Sequence, residues 1–288
     1  MKATVPAMQT VSTVKEVRSV IAGWRARGER VAFVPTMGNL HEGHLALVHR
    51  AAQLAERVVA SIFVNPLQFG PSEDFNAYPR TPEEDSRKLR DAGLDLLFMP
   101  PEREIYPHGQ PLTRVEVQGL SSILCGAFRP GHFAGVATVV AKLLNVVQPD
   151  LALFGEKDYQ QLVVIRRMAA DLCMPVEIVG VATVREPDGL AMSSRNQYLT
   201  PEERRRAPVV YRSLCMAGEA LRRGGRDFAS IEAEGTQMLS AAGLRPDYFN
   251  VRRAADLEPP RSGDRALVIL VAAWLGRARL IDNLPLSI

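Results

Sequence analysis

The chain has 288 residues, of which 47% are hydrophobic and 23% charged, and this ordinary mixture excludes collagen-like, low-complexity and disordered proteins. A formal net charge of +3 excludes a nucleic-acid-binding protein that relies on a bulk excess of basic residues. Three widely spaced cysteines exclude a disulfide framework and a zinc site of paired cysteines, and they favour the reducing cytoplasm.

Short β-branched runs alternate with amphipathic stretches in the first part of the chain, which predicts a parallel sheet covered by helices. A Thr81–Glu84 capping box and Pro82 both mark the start of one of these helices. We expect a Rossmann-like α/β domain over residues 1–185, with helices on both faces of its sheet. Its predicted strands are Val31–Val34, Val58–Val64, Leu94–Met99, Leu151–Phe154 and Val176–Val184, and its predicted helices are Leu45–Ala55, Thr81–Ala92, Phe133–Val147 and Tyr159–Leu172.

The pattern changes after Arg185, and residues 186–288 are predicted to form a smaller α+β domain that acts as a lid. A helical stretch comes first, and strands follow it. The longest apolar run of the chain is about half the length that a membrane-spanning helix needs, so no membrane contact is expected. These elements are the helical stretch Pro201–Arg223 and the strands Asp247–Arg252, Ala266–Leu275 and Arg279–Asn283, of which Ala266–Leu275 is the apolar run.

A cluster of histidines and glycines, PTMGNLHEGH (residues 35–44), follows the first predicted strand and precedes a helix. Ligands of α/β sheets bind at this end of the strands. Gly38 and Gly43 allow close approach of a ligand, and the free N–H groups of a helix start favour phosphate. His41 and His44 lie on one helical turn, so both rings can face one ligand. Their spacing does not match the zinc-protease motif, but metal ligation and two ordinary surface histidines stay open as alternatives.

A second cluster, GEKD (residues 155–158), also lies between a strand and a helix. The chain contains 30 arginines and only five lysines, so Lys157 stands out as a compact cation suited to phosphate. Asp158 and Gln161 have the spacing of a capping box, and capping and ligand binding are equally good interpretations for this pair. A third cluster, AMSSRN (residues 191–196), combines small hydroxyls with an arginine, as in a mobile loop that grips phosphates.

Three further groups of polar residues lie near the same edge of the predicted sheet. Asn65 and Gln68 follow the second strand, where neutral amides can bind a hydroxyl or a carboxylate. Arg129 and His132 precede a buried helix. The acidic start of the Thr81–Ala92 helix could hold Mg²⁺ through Asp85, or it could simply compensate the helix dipole.

Taken together, PTMGNLHEGH, SIFVNPLQFG, RPGHFAGV, LFGEKDYQQL and MSSRN resemble the pantothenate synthetase family and occur in that family's order. The segment HEGH resembles the HIGH signature of nucleotidyltransferases related to class I aminoacyl-tRNA synthetases, and MSSR resembles their KMSKS loop. Glu42 stands where the family commonly has Asp, a conservative change. After about residue 196 the resemblance is less distinctive, except near VAAWLGRARLIDN (residues 271–283).

The resemblance implies that the enzyme joins pantoate to β-alanine with ATP and Mg²⁺, through a pantoyl adenylate, and that it is a homodimer without nucleic-acid partners. His44 would be the proton donor at the phosphates, and His41, Lys157 and Arg195 would share catalysis. Gln68 and Gln161 would bind pantoate, with Gln68 also near β-alanine. The implied ATP-binding residues are Met37, Gly38, Asn39, Leu40, His41, Glu42, Gly43, His44, Gly155, Glu156, Lys157, Asp158, Val184, Met192, Ser193, Ser194 and Arg195.

Two other functions stay open at this point. A nucleotidyltransferase with the same signature would leave a nucleotidylated product instead of an amide and free AMP. A nucleotide-sensing module would bind ATP without turnover. An aminoacyl-tRNA synthetase is disfavoured, because the net charge of +3 offers no basic face for tRNA.

Overall fold

A computed structural model describes residues 8–70 and 75–288. Contacts within it group the chain into two compact units. The first unit holds the chain up to Glu156 together with Val164–Ala182, and the second holds Lys157–Val163 and Thr183–Ile288. The assignment of residues 1–185 and 186–288 to two domains stays a prediction. Within the described ranges, no helix is long and apolar enough to cross a membrane.

The first unit contains a six-stranded parallel sheet with the strand order β1-β4-β3-β2-β5-β6. Because β2 lies between β3 and β5, the strand order reverses next to β2, and α/β sheets bind ligands at the carboxyl ends of the strands at such a point. Its strands are β1 (Gln9–Val11), β2 (Val31–Thr36), β3 (Arg57–Ile62), β4 (Leu96–Phe98), β5 (Leu151–Gly155) and β6 (Glu177–Val181).

Helices cover both faces of this sheet, as β2 illustrates. Ala32 and Val34 pack in one cluster with residues of α2 and α3, while Val31 and Phe33 are buried on the opposite face, and α6 contacts β2. The helices of this part of the chain are α1 (Val14–Arg25), α2 (Glu42–Leu54), α3 (Pro82–Asp91), α4 (Glu102–Ile105), α5 (Cys125–Phe128), α6 (His132–Val147) and α7 (Tyr159–Asp171), which runs from the second unit into the first.

The second unit is built on a three-stranded antiparallel sheet, β7-β8-β9, with helices packed against it. Alternate residues of the strands pack with α9 and α10 in one apolar cluster. The predicted fold class, a parallel sheet plus a smaller α+β part, is therefore confirmed. The elements are α8 (Pro201–Arg206), α9 (Val209–Arg222), α10 (Phe228–Ala241), β7 (Arg245–Arg253), β8 (Ala266–Leu275) and β9 (Ala278–Ser287).

Two local predictions are wrong. The helical stretch Pro201–Arg223 is two helices, because Pro208 lacks the N–H that a continuous helix needs and α9 begins directly after it. The Thr81–Glu84 capping box is absent: Thr81 makes no side-chain cap, and its hydroxyl donates to Asp85 Oδ2 at 3.1 Å. Glu84 pairs instead with Lys88 one turn later, at 2.8 Å.

Candidate active site

The loop after β2 carries two consecutive residues in the left-handed region, Gly38 (φ 81°) and Asn39 (φ 51°). This backbone turns the N–H groups of Asn39 and Leu40 toward Asp85, whose two carboxylate oxygens accept them at 2.8 Å each. A Cβ on Gly38 would lie 3.0 Å from Asp85 Oδ2 and 3.1 Å from Ile62 Cγ2. The turn therefore requires glycine at position 38 and an acceptor at position 85.

Asp85 lies in the first turn of α3, and it is only 1% exposed. A buried carboxylate needs hydrogen-bond donors, and the loop N–H groups and the Thr81 hydroxyl supply three. No group of three or more His, Cys, Asp or Glu side chains in residues 8–70 and 75–288 is arranged to hold a metal ion. These contacts fit Asp85 as the anchor of the loop better than as a magnesium ligand.

Replacing Asp85 with asparagine is expected to lower the free energy of unfolding by about 1–3 kcal/mol, because the amide N–H₂ would face a loop N–H instead of accepting it. Urea unfolding measures this loss. Asp91→Asn at the exposed end of the same helix is the matched control, with an expected change below about 0.5 kcal/mol. An unchanged stability together with a lost response to Mg²⁺ would identify Asp85 as a metal ligand instead.

His41 and His44 cap the helix α2 together. The Nδ1 atom of His41 accepts the N–H of Gly43 at 3.1 Å, and the Nδ1 atom of His44 accepts the N–H of His41 at 3.3 Å. The two ring centroids are 4.2 Å apart, so the rings lie side by side, as their spacing predicts. Sequence reasoning missed the cap because histidine is not among the usual capping residues.

This reciprocal cap decides where the histidine protons are. A ring nitrogen that accepts an N–H carries no proton, so in the neutral form both rings are protonated on Nε2. Neutral rings are also compatible with the positive end of the helix dipole, which disfavours cations. The Nε2–H group is then the donor of each ring, and a donor of this kind suits phosphate oxygens, which accept hydrogen bonds.

Gln68 is held at the end of β3 by a network that fixes its amide orientation. Asn65 Nδ2 donates to Gln68 Oε1 at 3.0 Å and to the carbonyl of Gly135 at 3.1 Å. The Tyr106 hydroxyl donates to Asn65 Oδ1 at 2.7 Å, and burial raises the pKa of this hydroxyl. Gln68 Nε2 is consequently the donor of its amide, and it lies 3.0 Å from Met37 Sδ. Met37 and Gln68, both predicted site residues, are thus in contact.

Arg129 and His132 hold the backbone of the same residue. Arg129 contacts Nε2 of His132 at 3.0 Å, and because guanidinium only donates, that nitrogen is the acceptor. His132 Nδ1 then carries the proton and donates to the Gln68 carbonyl at 2.8 Å. Asn65, Tyr106, Arg129 and His132 therefore position Gln68. Tyr106 is a member of this network that the sequence analysis did not single out.

In the second unit, Lys157 and Ser193 line one small cavity, together with Asn196 and Asp282. The Lys157 side chain is 19% exposed, and its Nζ lies 3.7 Å from the carboxylate of Asp158. Lys157 and Asp158 end a 3₁₀ turn (Glu156–Asp158) that follows β5 and Gly155 directly, and Gln161 lies in the first turn of α7. Two clusters that are 36 residues apart in the sequence thus meet at one cavity.

The segment Val184–Arg195 forms a short hairpin followed by a 3₁₀ turn. Met192 N–H donates to the carbonyl of Val184 at 3.0 Å, and Ala191 pairs with Arg185. Ser193 caps the turn Ser194–Tyr198 by accepting the N–H of Arg195 at 3.2 Å. The predicted phosphate-gripping loop therefore has regular local structure, because the Ser193 hydroxyl closes the turn.

Comparison with known proteins gives consistent matches along the chain. A family model described as pantoate-beta-alanine ligase matches residues 9–285. A pantothenate synthetase of Pseudomonas putida (strain W619) is 63% identical over 278 residues, which cover 96% of this chain and 97% of that protein.

Two crystal structures extend the likeness to the fold. The pantothenate synthetase of Thermus thermophilus is 53% identical with a TM-score of 0.90, over 96% of this chain and 99% of the other. The pantoate-beta-alanine ligase of Francisella tularensis, complexed with beta-gamma ATP and beta-alanine, is 35% identical with a TM-score of 0.81, over 97% and 98%. The likeness spans the residues of both units.

Proposed function

The chain belongs to the pantoate–β-alanine ligase family, and from this membership we propose that it condenses pantoate with β-alanine to pantothenate at the expense of ATP. The reaction passes through an enzyme-bound pantoyl adenylate and releases pyrophosphate and AMP. The family match across residues 9–285 is the observation that carries this proposal. The Francisella tularensis ligase is complexed with beta-gamma ATP and beta-alanine, and this complex supports ATP and β-alanine as substrates.

The chemistry of this reaction matches the side chains that the site offers. A carboxylate is a poor electrophile, so pantoate is activated when its oxygen attacks the α-phosphorus of ATP and pyrophosphate leaves. The β-alanine amine then attacks the acyl carbon, and AMP leaves. The enzyme needs no covalent nucleophile for these steps, but it must stabilise the negative charge that develops on the phosphates. Lys157, Arg195 and the Nε2–H group of His44 supply that stabilisation.

The proposed residue roles are those that the family resemblance implies, and the contacts within each segment support them. His44 donates its Nε2 proton toward the leaving pyrophosphate, and His41 holds the backbone of the same helical turn. Gln68, with its amide orientation fixed by Asn65, donates to pantoate, and Gln161 binds pantoate as well. Two sets of backbone and side-chain groups bind ATP: residues Met37–His44 and Gly155–Asp158 at strand ends, and Val184 with Met192–Arg195 in the hairpin and the turn that follows it.

Magnesium enters as the counter-ion of the ATP phosphates. The described side chains do not fit a dedicated magnesium site, because the oxygens of Asp85 already accept loop N–H groups. Mg²⁺ commonly keeps several waters and binds through substrate phosphates, which is compatible with so few protein ligands.

We also propose a homodimer in the cytoplasm. Cys125, Cys173 and Cys215 of each chain form no disulfide, which agrees with a reducing compartment. Light scattering of the purified protein tests the dimer.

Gln161→Ala is expected to raise the KM for pantoate about tenfold while the KM for ATP changes less than about twofold, because one direct hydrogen bond to the substrate is lost. Steady-state kinetics with each substrate varied in turn measure the two constants. Arg167→Ala, at an exposed position of the same helix, is the control and should leave both constants unchanged. Lower thermal stability with unchanged kinetics would assign Gln161 to the cap of α7 instead.

A product assay by mass spectrometry tests the function itself. ATP, pantoate and β-alanine are supplied together and then with each one omitted. We expect pantothenate and AMP only from the complete mixture, and pyrophosphate already without β-alanine. A nucleotidylated product without an amide would indicate a nucleotidyltransferase, and ATP binding without pantoate-dependent pyrophosphate would indicate a sensing module.

A further inference from the structure

The segment VAAWLGRARLIDN ends in two buried polar residues on β9 that have no role in the reaction proposed above. Asp282 is 3% exposed and Asn283 is 2% exposed. Each of them holds a segment that is proposed above to bind the phosphates of ATP: Lys157 in one case and the hairpin before Ser193 in the other. Successive side chains of a strand point to opposite faces, so these two neighbours can hold two separate segments.

Asn283 holds the backbone at Lys157. Its Nδ2 donates to the Lys157 carbonyl at 2.9 Å, across 126 residues of sequence. In the register of the sheet, Asn283 lies opposite Leu270, and Leu270 lies opposite Asn250. This strand is fully paired with β8, so the amide is fixed on a rigid element. A hydrogen bond to a backbone carbonyl fixes the backbone of that residue. The bond from Asn283 therefore restricts the positions that the Lys157 ammonium can reach.

Asp282 holds the hairpin that leads to Ser193. It shares a face with Val271, within the apolar cluster of the unit, where burial raises the pKa of its carboxyl. Arg185 compensates this charge with two hydrogen bonds to the carboxylate, at 2.6 and 3.0 Å. The same guanidinium donates to the carbonyl of Gly189 at 3.1 Å and stacks on the Tyr211 ring at 3.9 Å. Arg185 therefore fixes the Val184–Met192 hairpin to β9.

We propose that Asp282 and Asn283 are positioning residues for adenylation, which align Lys157 and the Met192–Arg195 turn with the ATP phosphates. Lys157, Ser193 and Asp282 line the same cavity, so the two held segments converge there. This inference rests on the proposed function. Misplacing a reacting or stabilising group by about 1 Å can cost about 100-fold in rate, so small shifts of these segments matter.

The test separates the two half-reactions in Asn283→Ala. Pantoate-dependent exchange of pyrophosphate into ATP measures adenylation, and quenched-flow addition of β-alanine to enzyme that has accumulated pantoyl adenylate measures amide formation. We expect adenylation to slow about 10- to 100-fold and amide formation to change less than about twofold. Asn250→Ala, in the same row of the same sheet, is the matched control and should leave both rates near those of the wild type.

A double-mutant cycle distinguishes positioning from general damage. Because Asn283 acts through Lys157, Asn283→Ala should cause no further loss of adenylation in a Lys157→Ala background. Equal losses in both half-reactions, or additive losses in the double variant, would overturn the proposal. If Asn283→Ala does not fold, Asp282→Asn provides the second test, with adenylation expected to slow about tenfold and amide formation to change less than about twofold. An unchanged rate of adenylation in that variant would also contradict the proposal. Absence of pantoate-dependent exchange in the wild type would instead overturn the proposed function.

Discussion

Replacement of Lys157 by alanine is expected to slow pantoyl-adenylate formation by about 10²- to 10³-fold, the usual cost of one lost charge-stabilising donor. The Lys157 side chain is mostly buried, and it lines a cavity together with Ser193. The backbone carbonyl of Lys157 accepts a hydrogen bond from the Asn283 amide. A cation in this position stabilises the phosphates more strongly in the transition state than in bound ATP, so kcat should fall more than the KM for ATP rises. Pantoate-dependent pyrophosphate exchange measures the loss.

Two variants show whether the effect is specific to Lys157. Lys15→Ala removes an exposed lysine from α1 and should leave exchange unchanged. Lys157→Arg keeps the charge but replaces a compact ammonium with a planar guanidinium, so we expect it to restore only a small part of the rate. Exchange at the wild-type rate in Lys157→Ala would contradict the role of this residue in adenylation.

The second large effect is expected at His44. His44→Ala should also slow adenylation by about 10²- to 10³-fold, because the Nε2–H donor at the departing pyrophosphate is lost. It should in addition lower stability by about 0.5–2 kcal/mol, because His44 Nδ1 accepts the N–H of His41 in the reciprocal cap. Exchange kinetics and urea unfolding separate the two losses.

His44→Gln isolates the chemical role from the structural one. Glutamine at the third helical position can accept the same backbone N–H, so we expect wild-type stability together with slow adenylation. His49→Ala, on an exposed position of the same helix, is the histidine control and should be neutral in both measurements. Recovery of adenylation in His44→Gln would show that capping, and not proton donation, is the main role of His44.

Local sequence patterns predicted most of the fold. Val31–Val34 and Leu151–Phe154 are strands as expected, since short apolar runs between turns have few alternatives. The short strand β1 and the helix α1 were missed, although Thr13 and Glu16 form a capping box that the sequence displays. The helix α10 was also missed. Its N-cap is Asp227, whose carboxylate accepts the N–H of Ser230.

The predicted site depends on strand ends, and these can be placed from the sequence, whereas their supporting contacts cannot. Asp85 reaches Asn39 across 46 residues, and Tyr106 reaches Asn65 across 41. Such hydrogen bonds depend on how the helices pack, and the periodicity of hydrophobic residues within a short segment does not predict that packing. The same holds for the hydrogen bond from Asn283 to the Lys157 carbonyl. From the sequence alone, residues 271–283 therefore resembled the family, but no physical role could be given for them.

The division of α7 between the two units limits how the protein can be cut into pieces. Chain connectivity crosses from one unit to the other after Glu156, after Val163 and after Ala182. A fragment of residues 183–288 would lack Lys157–Val163, and with them the partners of Asn283 and of Ala254, whose carbonyl accepts the Tyr159 hydroxyl at 3.0 Å. The smaller unit is therefore a discontinuous module, and recombination between related enzymes would have to exchange this heptapeptide along with the C-terminal portion.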